Sequence, residues 1–201
     1  AADGQVRGVI IAGSGQTFPA GADIREFGSA AAGQSRNLVE VCTAIEECPK
    51  PVAAAIHGTA LGGGLEVALS CHYRVGAAGA KVGLPEVALG ILPGAGGTQR
   101  LPRLVPIDAA LELILSGAPM AAAKAAALGI LDRVEPAAGG KGAPIQAAAA
   151  VLAAATAPLE ARRLSRRAAV SAGGEGAAPA LVAKRRAKLP PAERGAAARH
   201  A

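Results

Sequence analysis

Apolar positions follow two different periods along the chain, and the change from one to the other divides it. Residues 6–12 (VRGVIIA) form a short β-branched run, which predicts a buried strand. Residues 13–21 carry the glycines of a loop. Asp23 can begin a short helical turn, since an acid is favoured at a helix start. Across 35–48, Leu38, Val39, Val41, Cys42 and Ile45 make a helical stripe, which Pro49 and Pro51 stop. A second strand is predicted over 51–56, a helix opened by glycines over 63–71, a short strand over 73–75 and another at 81–82.

From Ala95 onward the period becomes helical. Residues 107–116 predict one helix closed by Gly117, and 121–128 another closed by Gly129. A short extended piece is expected at 130–134, then helices over 145–157, 159–170 and 178–188. Strands alternating with helices, followed by helices alone, imply α/β layering with a helical cap. Two units are expected, a core at 1–136 and a helical region at 137–201. Glycine-rich links fall at 137–143 and 173–176, and the tail after Pro190 is expected to fray.

Composition changes the picture of the core. Of the 201 residues 51% are apolar, but alanine supplies the larger part, with two Phe (Phe18, Phe27), one Tyr (Tyr73) and no Trp. Close helix packing and modest stability are expected, since alanine buries less than the large side chains worth about 1.5–3 kcal/mol each. The longest apolar run, 147–157, is too short to cross a bilayer. No charged leader precedes an apolar segment, so no signal peptide is expected. Cys42, Cys48 and Cys71 match no zinc or redox spacing and read as packing thiols in a reducing compartment.

The net charge of +6 is uneven. From Glu160 onward there are ten Arg or Lys against three Glu. Arg162, Arg163, Arg166 and Arg167 recur at helical spacing, and Lys184, Arg185, Arg186 and Lys188 cluster again. Two readings fit: a solvated helical face, or a site for a polyanion, either nucleic acid or a phosphorylated cofactor. No aromatic residues interleave with these charges, so bases have no stacking platform.

Three segments carry chemistry. Gly62-Gly63-Gly64 follows a strand and opens a helix, where free N–H groups and the helix dipole favour negative charge. Glu66 lies three residues past Gly63 on the same face, and helical side chains lean toward the N-terminus, back to that site. Phe18-Pro19-Ala20-Gly21-Ala22-Asp23 is a tight turn that presents a further N–H at Ala22, and two donors from separate loops make an oxyanion hole. Leu84-Pro85-Glu86 is stiffened by proline, with glycine-rich chain from Gly90 to Gly97 just beyond. Taken singly, each segment fits an ordinary turn as well as a functional loop.

Together they resemble a known family. The runs FPAGADIRE (18–26), ALGGGLEVALSCHYR (60–74) and VGLPEVALGILPGAGGTQRLPRL (82–104) are similar to the enoyl-CoA hydratase/isomerase (crotonase) family. Within it, the N-terminal hydratase part of bifunctional fatty-acid oxidation enzymes is most alike, and PLEARRL (158–164) resembles the region just past their crotonase core. The likeness is strong over 6–134 and weaker beyond. It implies an α/β fold of the crotonase (ClpP/crotonase-like) type, a spiral of ββα units with a helical C-terminal region. The family's first hairpin and helix are expected to be missing from this chain.

The resemblance also implies roles. The N–H groups of Ala22 and Gly63 would bind the thioester oxygen of an acyl-CoA. Glu66 would act as base toward a water, and Glu86 would deliver a proton to C2. Ala20, Asp23, Ile24, Gly62, Pro85 and Gly94 would contact substrate, and Arg25 would reach CoA phosphate. Having both glutamates favours hydration, with Δ3–Δ2 isomerisation as a second activity through Glu86. Coenzyme A enters as part of the substrate, with no separate cofactor and no metal. No G-x-G-x-x-G follows a strand, so no NAD site is expected. His57 and His72 flank these segments with no metal partners at ligand spacing, and His57, before Gly58 at a strand end, reads as structural. Either a homotrimer or a place in a larger bifunctional chain is implied, with no membrane partner. The alanine-rich composition points to a cytoplasmic protein, with a peroxisomal one as the alternative. Two other readings stay open: an RNA-binding crotonase relative that uses the basic C-terminal helices, and a non-catalytic assembly part.

Overall fold

A computed structural model of the chain describes residues 3–21, 37–136, 140, 142–170, 180, 182, 183 and 187. In order they form β1 (Val9–Ala12), α1 (Leu38–Glu46), β2 (Val52–Ile56), β3 (Thr59–Leu61), α2 (Gly63–Ser70), β4 (Tyr73–Ala77) and β5 (Lys81–Gly83). Then come α3 (Gly97–Arg100), α4 (Ile107–Ser116), β6 (Met120–Ala121), α5 (Ala122–Ala127), β7 (Arg133–Glu135) and α6 (Ala143–Ala153). Short 3-10 turns sit at Pro85–Leu89, Leu101–Arg103, Leu159–Arg162 and Leu164–Arg166.

Two sheets result. One runs β1-β2-β4-β7, all parallel, and the other β3-β5-β6, parallel then antiparallel. The chain gives one strand to each sheet in turn, β2 then β3, β4 then β5, with helix between, which is the expected ββα spiral. Period two explains how β2 serves two cores at once. Val52, Ala54 and Ile56 enter the main core with Leu65, Leu69 and Leu101, whereas Ala53 and Ala55 face Ala147 and Ala148 of α6. All five β2 residues are buried. Alanine on both sides of that second contact lets α6 lie close against the sheet, and this is where the alanine-rich composition is spent. The main core also contains Ala60 and Val82 of the second sheet, so one apolar cluster joins the two.

Local signals set the helix ends. Helix α1 starts at Leu38, where the apolar stripe begins, because the Asn37 side chain caps it by accepting the Glu40 N–H at 2.9 Å. Gly117 closes α4 in the left-handed region at φ 63°. Thr59–Leu61 and Met120–Ala121 were not foreseen as strands; pieces this short show no periodicity.

The stretch 159–170 departs most from expectation. It is not a helix but two 3-10 turns followed by non-helical chain. The Ser165 N–H, which a helix would spend on the i−4 carbonyl, donates to Glu46 Oε1 at 2.8 Å, and the Val170 N–H donates to Pro102 O at 2.7 Å. The arginines follow suit. Arg162 reaches Asp132 Oδ1 at 2.6 Å and the His72 carbonyl at 3.0 Å, with its guanidinium 4.1 Å above the Tyr73 ring. Arg163 pairs with Glu160 and donates to the Glu46 carbonyl, and Arg166 pairs with Glu47 at 2.7 Å. Arg162 and Arg163 strap the segment to the body of the protein and Arg166 pairs with Glu47 at the surface, so these arginines do not line one helical face. In the expected 178–188 helix, Ala180, Val182, Ala183 and Ala187 are helical. Lys184, Arg185, Arg186 and Lys188, the turn at Asp23 and the link at 173–176 lie outside the described residues.

Candidate active site

Helix α2 begins where β3 meets a sharp corner. Gly62, at φ 54° and ψ −128°, holds a backbone shape that L side chains rarely adopt. The Gly62 N–H donates to Gly83 O at 2.9 Å, which ties the corner to β5. No acceptor among the described residues takes the Gly63 N–H, as expected at a helix start. Gly64 allows another segment to come very near: a Cβ there would lie 1.6 Å from Pro19 O. That contact brings the 19–21 loop against the start of α2.

Glu66 sits in the first turn of α2 and is 2% exposed. Its Oε1 accepts the Ala95 N–H at 2.7 Å and the Gly97 N–H at 2.8 Å. Both bonds fall on one oxygen. The glycine-rich chain beyond Glu86 therefore gives two of its N–H groups to the protein's own carboxylate. Gly97 is tightly packed, since a Cβ would be 3.1 Å from Glu66 Oε1 and 3.0 Å from Pro93 Cβ.

Glu86 arrives from the other side on the 3-10 turn that Pro85 opens. Its Oε1 would lie 3.3 Å from a Cβ on Gly62, so the carboxyl hangs over the corner before α2. Its Oε2 is buried with no hydrogen-bond partner among the described residues. Burial first, then the Glu66 charge, holds the Glu86 carboxyl above the usual carboxylate range, against the opposing effect of its own N–H.

Both glutamates line a cavity of about 460 Å³, within the usual range for small-molecule sites. Of the sequence-predicted residues, Ala20, Gly62, Gly63 and Gly94 line it too, whereas Pro85 is not among the lining residues. Ala22, Asp23, Ile24 and Arg25 lie outside the described residues. Gly21, Leu38, Val39, Leu89, Ile91, Leu92 and Ala95 complete the wall and had not been read as site residues. Leu89 and Leu92 remain 62% exposed. Three large apolar residues around Gly90, in a stretch with neither strand nor helix period, were the available signal.

The remaining titratable groups near the core have structural partners. The His72 ring accepts the Val52 N–H on Nδ1 at 3.0 Å, and burial lowers its pKa. His57 Nε2 lies 3.1 Å from the Gly15 carbonyl. Burial pushes the Cys71 thiol up to about 12. Among the described residues no cluster of His, Cys, Asp or Glu gathers as a metal site, and no helix is long and apolar enough to cross a membrane.

A cavity with one carboxylate oriented by backbone donors, a second carboxyl of raised proton affinity and a free helix-start N–H can do acid/base chemistry beside a developing negative charge. Comparison with known proteins points the same way. The family model for enoyl-CoA hydratase/isomerase matches residues 1–175. A peroxisomal bifunctional enzyme of Danio rerio is 55% identical over 132 residues, which cover 66% of this chain and 18% of that protein. A probable enoyl-CoA hydratase of Bacillus subtilis (strain 168) is 51% identical over 135 residues, covering 65% of this chain and 52% of that protein. The crystal structure of an enoyl-CoA hydratase from Bacillus anthracis superposes with a TM-score of 0.66 at 38% identity, over 82% of this chain and 65% of that one. The match thus spans about half the length of the Bacillus subtilis relative and a small part of the bifunctional one.

Proposed function

The chain belongs to the enoyl-CoA hydratase/isomerase family, and on that premise we propose that it adds water to 2-enoyl-CoA thioesters, as a hydro-lyase of fatty-acid β-oxidation. In this reading the thioester oxygen takes the N–H groups of Gly63 and Ala22. Glu66 removes a proton from water as the water oxygen bonds C3. The C2–C3 π pair moves toward the carbonyl, and the charge that builds on the thioester oxygen falls on the two donors, each worth about 3–4 kcal/mol. Glu86 then delivers its proton to C2. Ala20, Gly62, Gly94, Asp23 and Ile24 frame the acyl thioester, Pro85 serves only to stiffen the turn that carries Glu86, and Arg25 meets CoA phosphate. Coenzyme A comes with the substrate, and no further cofactor takes part.

The observation that carries this reading is the unlike treatment of two carboxyls on one cavity. Glu66 has one oxygen pinned by two N–H groups. Glu86 has a buried, unpartnered oxygen and a raised proton affinity. Hydration needs a base and an acid at one pH, and this pair supplies them. The test is loss of the 2-enoyl-CoA absorbance on adding protein. Glu66→Gln and Glu86→Gln should each slow turnover by about 10²–10⁴-fold, and a fully active double variant overturns the reading. Δ3–Δ2 isomerisation through Glu86 follows as a second activity, measured with a 3-enoyl-CoA. Relatives named for the peroxisome and the glyoxysome favour such an organelle for this chain and a place in a longer bifunctional protein. The alternative is a cytoplasmic enzyme that assembles as a trimer, and the Bacillus subtilis relative is named only as a probable enoyl-CoA hydratase.

A further inference from the structure

Outside the cavity, Glu46 and Arg100 form a buried ion pair 54 positions apart in the sequence. They are 3% and 6% exposed. Arg100 donates to Glu46 Oε2 from Nη2 at 2.8 Å and from Nε at 3.2 Å. Its third donor, Nη1, goes to the Ala95 carbonyl at 2.9 Å. The side chain folds under its own loop so closely that a Cβ on Gly96 would be 2.2 Å from Nη1.

The bond to Ala95 falls at a telling place. The Ala95 N–H belongs to the peptide joining residues 94 and 95, and the Gly97 N–H to the peptide joining 96 and 97. Glu66 Oε1 takes both. The Ala95 carbonyl belongs to the peptide between them, and Arg100 fixes that one. Gly94, Gly96 and Gly97 surround it, so this backbone has more freedom to lose than any other composition would. Two N–H groups converge on one oxygen only if the peptide between them keeps its orientation.

We infer that the Glu46–Arg100 pair is the positioning device for Glu66, acting through the Ala95 carbonyl to hold both N–H donors on its carboxylate. This rests on the hydratase reading above. A buried ion pair is a poor source of net stability compared with apolar side chains of the same volume, which leaves its geometric effect as the function to test. The pair is also tied to the C-terminal strap. Glu46 Oε1 accepts the Ser165 N–H at 2.8 Å, and the Glu46 carbonyl accepts Arg163 Nε at 3.0 Å.

The experiment uses the full chain, with hydration of a 2-enoyl-CoA measured per folded molecule and the folded fraction taken from circular dichroism. Arg100→Met should lower kcat by about 100-fold, the cost of roughly 1 Å of misplacement, with KM within about twofold of wild type. Arg100→Lys, which restores one donor, should recover part of the loss. In a Glu66→Gln background Arg100→Met should add no further loss, because its effect passes through Glu66. Arg74 is the control: it is buried too, but it is bonded to Ile130, Cys71 and Asp132. Arg74→Met should lower the melting temperature and leave kcat per folded molecule unchanged. If Arg100→Met does not fold, Glu46→Gln, which keeps the shape and removes the charge, gives the same test. A wild-type chain with no hydratase activity removes both readings. An active, Glu66-dependent wild type whose Arg100→Met and Glu46→Gln variants keep wild-type kcat removes this one alone.

Discussion

Replacing Gly64 by alanine tests whether the start of α2 and the 19–21 loop must touch. The added Cβ would lie 1.6 Å from Pro19 O and 2.5 Å from Pro19 C, and real Cβ contacts stay beyond 3.0 Å. Going from 1.6 to 3.0 Å means opening the contact by about 1.4 Å, and backbone on both sides leaves no flexible side chain to yield. Overpacking of this kind costs about 3 kcal/mol, the upper end of its usual range. Alanine's better helix propensity offsets about 1 kcal/mol of that. The net of about 2 kcal/mol lowers the melting temperature by about 4–8 °C for a chain of this size. The effect on rate should be larger. Moving the Gly63 N–H by more than 1 Å from the thioester oxygen loses one donor, about 3 kcal/mol or roughly 100-fold in kcat. Thermal melting by circular dichroism and enoyl-CoA hydration well below the melting temperature measure the two effects separately. Gly79→Ala, where a Cβ meets nothing within 4 Å, is the neutral control. A Gly64→Ala protein with the wild-type melting temperature and wild-type kcat refutes the reasoning.

Three further outcomes follow from the contacts. Because burial and the Glu66 charge hold Glu86 above the usual carboxylate range, its ionised form costs stability above that raised pKa, and the cost disappears below the unfolded pKa. Glu86→Gln should therefore melt higher than wild type near neutral pH while losing turnover, with the gap closing as pH falls toward about 4; a gap that widens on acidification contradicts this. Arg162→Ala removes bonds to Asp132 and His72 and the stacking on Tyr73, a loss of about 2 kcal/mol read as a lower urea midpoint. Asp132→Ala should cost more, about 3–5 kcal/mol, because it strands the fully buried Arg74 guanidinium; equal losses for the two variants count against the account.

What the sequence showed and what it hid divide by distance along the chain. Gly62-Gly63-Gly64 and Glu66 could be read together because a helix start and an i+3 neighbour are local facts, and α2 does begin at Gly63. Helix α4 was read as closed by Gly117 and occupies Ile107–Ser116, with Pro106 just before it. The donors that hold Glu66 are 29 and 31 residues away, and nothing in the glycine run says which anion it will serve. Arg162, Arg163 and Arg166 kept helical spacing without an apolar stripe beneath it. With Glu46, Glu47, Glu160 and Asp132 as acceptors, their side chains and the Ser165 N–H found partners a helix would have denied them. The β2 alternation was invisible for another reason: a strand buried on both faces reads as a plain apolar run.

The division of labour between the two carboxyls comes from backbone more than from other side chains. Glu66 meets Ala95 and Gly97 through main-chain N–H groups, and Glu86 meets its own N–H. Apart from each other, neither has a charged partner among the described residues, although Arg100 lies one peptide away from the Glu66 donors. A lysine or arginine bonded directly to either glutamate would lower its proton affinity and compete with the developing charge of the substrate. Neutral donors avoid that. They fix the direction of the Glu66 carboxylate, while the field of Glu66 still reaches Glu86 and helps it to hold a proton. Placing Arg100 behind the peptide rather than against the carboxylate gives the site a rigid frame without neutralising the base.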